Sequence, residues 1–209
     1  MNIIEKYDKP FRYGAIVLNI IFAYKLFVVW YTPNITDATK ILSYVTLMAF
    51  EFAMVHSGLF MAFLPKRTSL FLLVPLYGAF ALAFNSFIEG NDILILYCVV
   101  VFNRMRYAFF NVKQELKNEL ILKSVISVIG YFFLLLGTLL IQSVIPELGL
   151  TKDFLAKSNF YKDLTITGLF VSQPQIPLFF GVLYYLFLAI TDAYLINDSN
   201  KVVASRQDL

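Results

Sequence analysis

Long uninterrupted stretches of apolar residues dominate the chain, and short polar stretches separate them. A membrane-spanning helix needs about 20 mostly apolar residues, because the hydrocarbon layer is about 30 Å thick and each residue adds about 1.5 Å. The stretches that meet this requirement are Tyr13–Tyr31, Ile41–Leu64, Ser69–Ile88, Ile93–Phe110, Leu122–Ile145 and Ile176–Ile196. They are continuous rather than alternating, which favours helices over the strands of a barrel. The pattern therefore predicts an all-α, polytopic bundle of six transmembrane helices, with residues 1–209 forming one integral membrane domain.

The distribution of basic residues predicts which side of the membrane each connection faces. With the N-terminus placed in the cytoplasm, twelve Lys and Arg residues fall on the cytoplasmic side, four fall outside, and Lys25 lies within the first span. Such an excess is typical of cytoplasmic connections. The connection between the third and fourth spans holds Glu89 and Asp92 but no Lys or Arg, which favours the outer side. We therefore expect both termini to be cytoplasmic and the protein to lie in the plasma (inner) membrane.

The composition agrees with this prediction and excludes several classes of protein. The chain is 59% hydrophobic and 15% charged with a mean hydropathy of +0.72, whereas soluble domains average about 25% charged residues. A net charge of +3 is too small and scattered for a nucleic-acid-binding surface. The single Cys98 excludes an internal disulfide, and the single His56 excludes sites that need two imidazoles from one chain. We predict no metal, no cofactor and no nucleic-acid partner; the expected partners are the lipid bilayer and either further copies of the chain or other membrane subunits.

Two connections have patterns of their own. The inner connection Asn111–Lys123 predicts a short amphipathic helix in which Glu119 lies four residues before Lys123. It is interpreted as a solvated stalk leading into the fifth span, with docking of a cytosolic partner as the alternative.

In the outer loop 146–175, Thr151–Asp163 mixes aromatic residues and lysines as an interfacial helix does. This loop is interpreted as a cover lying against the membrane, with a lid over an outward-facing cavity as the alternative.

Ionisable residues inside the predicted spans are the candidate functional groups, because a charge at the bilayer centre costs about 2.5–3.5 kcal/mol. Glu51 lies almost at the midplane of the second span, and His56 lies about 7 Å nearer the cytoplasm. They are five residues apart, so they share a face only if the helix contains a π-bulge. The candidate cluster comprises Glu51, His56, Arg104, Arg106, Lys25 and Asp192, with Asn103, Ser57, Asn19 and Asn85 as supporting polar residues.

The arginines of the fourth predicted span need counter-ions, because a guanidinium keeps its proton. Depth favours a pair between Glu51 and Arg104 and another between Asp192 and Arg106. Lys25 is a second candidate partner for Glu51. If Glu51 faces a cation, it stays ionised and the pair is structural or gates anions. If it faces apolar surface, it can take up a proton, with the nearby imidazole as a relay partner.

The other polar residues of the spans are interpreted as packing or interfacial groups. Asn19, Asn85 and Gln142 can form hydrogen bonds between helices, each contributing about 0.6 kcal/mol. Tyr184 and Tyr185 are expected in the aromatic belt near the membrane surface, where tyrosine is enriched. Neither tyrosine is expected at the site.

Three functions fit this sequence. The first is a small transporter or conduit for an ion, a proton or a small polar solute, with Glu51, His56 and Arg104 lining a cavity near the midplane. The second is an accessory or scaffold subunit of a larger membrane complex, whose aromatic surface packs against partner helices. The third is a membrane-embedded enzyme or cofactor binder acting on lipid at the inner face through Arg106 and Asp192, although no nucleophile or phosphate-binding motif accompanies them. The first is favoured, and enzymatic activity is the least expected.

Overall fold

The computed structural model describes residues 8–86, 91, 94, 97–98, 114–162, 164 and 167–207, and within these ranges the regular secondary structure is helical. Four helices are long and apolar enough to cross a membrane, as predicted for the first, second, fifth and sixth spans. The fourth predicted span, 93–110, lies outside the described residues except for Leu94, Tyr97 and Cys98. The candidate spans are Lys9–Tyr31, Ile35–Ser57, Ile121–Leu140 and Gln175–Asn197.

Seven helices are labelled here in chain order. They are α1 (Asp8–Tyr31), α2 (Ala38–Phe63), α3 (Val74–Asn85), α4 (Gln114–Leu140), α5 (Lys152–Lys157), α6 (Leu169–Ser172) and α7 (Gln175–Gln207). Short 3₁₀ turns, Ile35–Asp37 and Gln142–Val144, precede α2 and follow α4.

The four long helices pack side by side in alternating directions. Phe22 stacks on Tyr185 with ring centroids 5.2 Å apart, and Trp30 meets Phe179 edge-on at 5.6 Å, so α1 and α7 are antiparallel. The contacts of α7 with α2 show that these two helices are parallel, and its contacts with α4 show that α4 and α7 are antiparallel. We call the end at which α1 and α4 begin the inner end, and the opposite end the outer end.

The third apolar stretch forms a helix shorter than the four candidate spans, and a π-helical turn lies near its beginning. Lys66–Thr68 forms one helical turn, Ser69–Leu73 is π-helical, and α3 follows. Pro75 lies in the first turn of α3 and has no backbone N–H with which to continue the α-helical ladder, so the helix widens just before it. The apolar helix here, Leu70–Asn85, is shorter than the four candidate spans.

The long loop packs against the outer end of the bundle. Leu150, Leu155 and Phe160 are buried, with exposed fractions of 1%, 3% and 5%, in the same hydrophobic core as the long helices. The Trp30 indole N–H donates to the Pro146 carbonyl at 3.0 Å and ties the loop to the end of α1. Apolar side chains of the loop therefore close the outer end.

The first helix of this loop is shorter than the predicted interfacial segment Thr151–Asp163. It is α5, which Thr151 caps by accepting a hydrogen bond from the Phe154 N–H at 3.2 Å. Lys152 and Lys157 are exposed while the apolar side of the loop faces the bundle, so α5 has the amphipathic character that the sequence predicts.

The inner connection is part of α4 rather than a separate helix. α4 runs from Gln114 to Leu140 without interruption, so the described part of the predicted stalk forms its first turns. Glu119 and Lys123 were expected to stabilise the stalk as a pair within one helix. In the structure, each carries an ion pair to another helix, Glu119 to α1 and Lys123 to α7.

Candidate functional site

The carboxyl group of Glu51 is buried at the centre of the bundle. The residue is 2% exposed, and its Oε1 accepts a hydrogen bond from the Tyr185 hydroxyl at 3.0 Å. α2 carries the acid and α7 carries the phenol. Tyr185 lies near the middle of the candidate span Gln175–Asn197, so the contact lies about midway between the two ends of that helix.

Tyr185, which donates to this carboxyl group, packs in a row with two further tyrosine rings. Tyr131, Tyr184 and Tyr185 are 3%, 0% and 2% exposed. The Tyr131 hydroxyl donates to the Met48 carbonyl at 3.0 Å, and its ring meets that of Tyr184 edge-on at 5.0 Å. We call Glu51 and these three tyrosines the Glu51 layer.

The prediction that Tyr184 and Tyr185 lie in an aromatic belt is wrong. Both are core residues, because they occupy the side of α7 that faces α1, α2 and α4. An aromatic belt forms at the ends of spans, where a phenol can reach the headgroups. Both tyrosines stand near the middle of the sixth apolar stretch, and that position was the signal that could have placed them in the core.

A second buried acid anchors an ionic cluster nearer the inner end. Asp192 of α7 is 4% exposed, and its carboxylate binds the Lys123 ammonium of α4 and the Asn19 amide of α1, the latter at 3.4 Å. Arg12 of α1 pairs with Glu119 of α4 one layer further toward the inner end. We call these five residues the inner ion-pair layer, which joins α1, α4 and α7. The Arg106 proposed as the partner of Asp192 lies outside the described residues.

His56 does not face the Glu51 layer. α2 is α-helical over Ala38–Phe63, so five residues separate Glu51 and His56 by about 140° around the helix. The π-bulge that would align them is not in α2; the π-helical turn lies instead at Ser69–Leu73. The His56 Nδ1 is 2.7 Å from the Phe52 carbonyl oxygen, and its ring lines a groove between α2 and α4.

The other sequence-predicted residues that the structure describes are Lys25, Ser57 and Asn85. Lys25 is exposed on α1 and makes no hydrogen bond or ion pair within the described part of the chain, so it does not pair with Glu51. Ser57 is buried and donates to the Met54 carbonyl of its own helix at 2.5 Å, and Asn85 is half-buried at the end of α3. The remaining candidates, Arg104, Arg106 and Asn103, lie outside the described residues.

The two buried acids differ in what they can do chemically. A tyrosine hydroxyl can donate to a carboxylate and can also accept from a protonated carboxyl group, so the contact between Tyr185 and Glu51 tolerates either protonation state. An ammonium group is charged and only donates, so protonation of Asp192 would remove the ionic attraction in its contact with Lys123. In the described ranges, no group of three or more His, Cys, Asp or Glu residues is arranged to hold a metal ion.

No family model, no curated protein and no solved structure matches the chain. The described part of the chain defines the class only as a helical protein, with four helices in that part able to cross a membrane. What the protein does in that membrane is therefore argued from the Glu51 layer, the inner ion-pair layer and the groove beside His56.

Proposed function

We propose that the protein is a small proton-translocating transporter or conduit of the plasma membrane, in which Glu51 carries the proton at the midplane. The proton moves alone or together with a small polar solute. The chain crosses the membrane six times, with the predicted spans 69–88 and 93–110 supplying the third and fourth crossings, and both termini are cytoplasmic.

The helix directions support this topology. α2 ends at the inner end and α4 begins there, so the intervening chain returns to the side it left. Two crossings between them satisfy this condition. α1 begins and α7 ends at the same inner end, which carries the basic residues that typify a cytoplasmic surface.

The hydrogen bond from Tyr185 to the buried Glu51 carries the functional proposal. Burial in the bundle disfavours the charged form of a carboxyl group, while the hydroxyl partner accommodates both forms. Such a group can bind and release a proton without losing its neighbour. A carboxyl group held midway through a membrane is also costly, so a functional use is expected of it.

Closure of the bundle at both ends fits one step of a transport cycle. The inner ion-pair layer separates Glu51 from the inner end, and Leu150, Leu155 and Phe160 close the outer end. Transport then requires the two closures to open in turn. The inner closure is polar and the outer one is apolar, so water and salt act more strongly on the inner one.

Proton flux in proteoliposomes tests this proposal. A pH gradient is imposed across vesicles containing the purified protein, and an enclosed pH-sensitive dye reports the flux. Wild type should exceed empty vesicles, and Glu51→Gln should fall to their level. The matched control is Glu147→Gln, the same change in the outer loop, which should keep wild-type flux.

Two outcomes would overturn the proposal. One is wild-type protein that moves no protons above the level of empty vesicles. The other is Glu51→Gln protein that moves them as fast as wild type. Either result, combined with a stable complex on purification in mild detergent, would favour the role of an accessory subunit. Equal yield and monodispersity of the variants show that a lost flux is not a lost fold.

A further inference from the structure

A groove of about 240 Å³ lies between α2 and α4 on the side of α2 that carries His56. Its walls are almost entirely apolar or aromatic, and no charged side chain lines it among the residues that the structure describes. The principal lining residues are Phe52, His56, Ile129, Tyr131, Phe132 and Leu135.

The groove opens sideways from the bundle. Phe52, Ile129 and Phe132 are 55%, 50% and 60% exposed, and they lie within the candidate spans Ile35–Ser57 and Ile121–Leu140. In a membrane these surfaces face hydrocarbon, so an occupant enters from the lipid phase and not from water.

A hydrogen bond within α2 determines which nitrogen of the His56 ring carries the proton. Its Nδ1 is 2.7 Å from the Phe52 carbonyl oxygen, and because a carbonyl only accepts, Nδ1 carries the proton. The Nε2 of the neutral ring is then a bare acceptor. His56 makes no other hydrogen bond within the described part of the chain. Tyr131 is only 3% exposed and its hydroxyl proton is donated to the Met48 carbonyl, so Nε2 is the more accessible acceptor for an occupant.

We propose that this groove binds a neutral aromatic alcohol, a phenol or quinol with a short apolar tail. Its ring lies against the Phe52 and Phe132 rings, and its hydroxyl donates to Nε2 of His56. The uncharged walls select a neutral molecule, since a charge here would lose its hydration without gaining a partner. A groove of 240 Å³ is smaller than the about 300–1,000 Å³ of sites for drug-sized ligands, so it accepts one ring. The proposal is independent of the proton pathway.

The single histidine of the sequence permits a direct test. Protein labelled with ¹⁵N-histidine and purified through a tag without histidine gives the imidazole signals of His56 alone. It is titrated in nanodiscs with 4-butylphenol and, separately, with 4-butylanisole, which has nearly the same shape but no donor. The phenol should shift the Nε2 resonance saturably, from a free to a hydrogen-bonded acceptor, and the anisole should not.

Two substitutions in α4 test whether the shift of the Nε2 resonance arises from binding in the groove. Ile129→Phe fills the groove and should abolish the shift. Leu136→Phe adds the same ring at a position that is 43% exposed and does not line the groove, and it should leave the shift unchanged. Equal responses to phenol and anisole, no response to the phenol, or a response that survives Ile129→Phe would each overturn the proposal. Glu51→Gln should bind the phenol normally, so the two proposals can fail separately.

Discussion

Glu51 and Asp192 are two carboxyl groups buried to the same degree in one bundle, with exposed fractions of 2% and 4%, yet their hydrogen-bond donors differ in kind. Glu51 receives a neutral phenol from Tyr185, whereas Asp192 receives the Lys123 ammonium. The first contact involves no second charge and can persist when a proton binds, whereas the second would lose its ionic attraction. Burial alone therefore does not distinguish the proposed proton carrier from the ion-paired acid; the donors seen at each carboxyl group do.

Their positions along α7 reinforce this contrast. Tyr185 and Asp192 are seven residues apart, about 10 Å along the helix, so the Glu51 layer is central and the ion-pair layer is nearer the inner end. The Lys123 side chain is 33% exposed and can extend its ammonium toward water. The inner layer can therefore stay charged at lower cost than the centre can.

The largest expected effect comes from removing the charge of Asp192 while Lys123 keeps its own. Asp192→Asn leaves the Lys123 ammonium without its carboxylate and should destabilise the protein by about 3 kcal/mol, the low end for a buried pair because the lysine is partly exposed. Thermal unfolding in detergent measures the change. The double variant Lys123→Met, Asp192→Leu should recover most of the loss. An Asp192→Asn protein as stable as wild type would remove the contrast between the two acids.

A smaller loss is expected where Gly130 of α4 packs tightly against Phe187 of α7. A side-chain carbon added at Gly130 would lie 2.1 Å from Cε1 of Phe187, so one of the two must move. Gly130→Ala should destabilise by about 2 kcal/mol and disturb the neighbouring Tyr131. Phe187→Leu in the same chain should relieve most of this, whereas Gly137→Ala, which meets open space, is the control and should be neutral. If Gly130→Ala, the double variant with Phe187→Leu and Gly137→Ala are equally stable, the packing of Gly130 against Phe187 does not position the Glu51 layer.

The hydroxyl of Tyr185 should matter more for flux than for stability. Tyr185→Phe removes one hydrogen bond, which should reduce the free energy of unfolding by about 1 kcal/mol. It should also shift the pH dependence of proton flux, because Glu51 then loses a neighbour that accommodates both of its states. Tyr194→Phe, a change at a position that is 69% exposed on the same helix, is the matched control. An unchanged pH profile in Tyr185→Phe would argue against the role given to this contact.

The smallest effect is expected at Asn19. Its hydrogen bond to Asp192 is long, at 3.4 Å, and Lys123 already binds that carboxylate. Asn19→Leu should therefore cost about 0.5 kcal/mol, in the range of polar contacts between membrane helices. The change is measured by the same thermal unfolding. A loss as large as that of Asp192→Asn would mean that Asn19, and not Lys123, holds the acid in place.

The sequence was sufficient to predict the long helices, because an apolar stretch of membrane length has few other ways to satisfy its backbone. It also located the buried acids, since Glu51 and Asp192 interrupt such stretches. The residues that pair with these acids were harder to predict from the sequence. Glu119 and Lys123 have the spacing of a local pair, but that spacing does not reveal that Arg12, 107 residues away, pairs with Glu119. A helical period describes neighbours on one helix and carries no information about which helix packs beside it.

The fate of His56 shows a related limit. Its spacing from Glu51 places the two on different faces of a regular helix, and α2 is regular. The helix widens instead just before Pro75, where the sequence does contain a cause. Tyr184 and Tyr185 were misplaced for the opposite reason: a rule for the ends of spans was applied to residues in the middle of one.

The most direct test of the central claim is to observe the Glu51 carboxyl group itself. Infrared difference spectra of the reconstituted protein, recorded across a pH titration, report the C=O stretch of protonated carboxyl groups. We predict a pH-dependent carboxyl band in wild type that disappears in Glu51→Gln and remains in Glu147→Gln. A spectrum of Glu51→Gln with every wild-type carboxyl change intact would contradict the claim, because Glu51 would then keep one protonation state throughout.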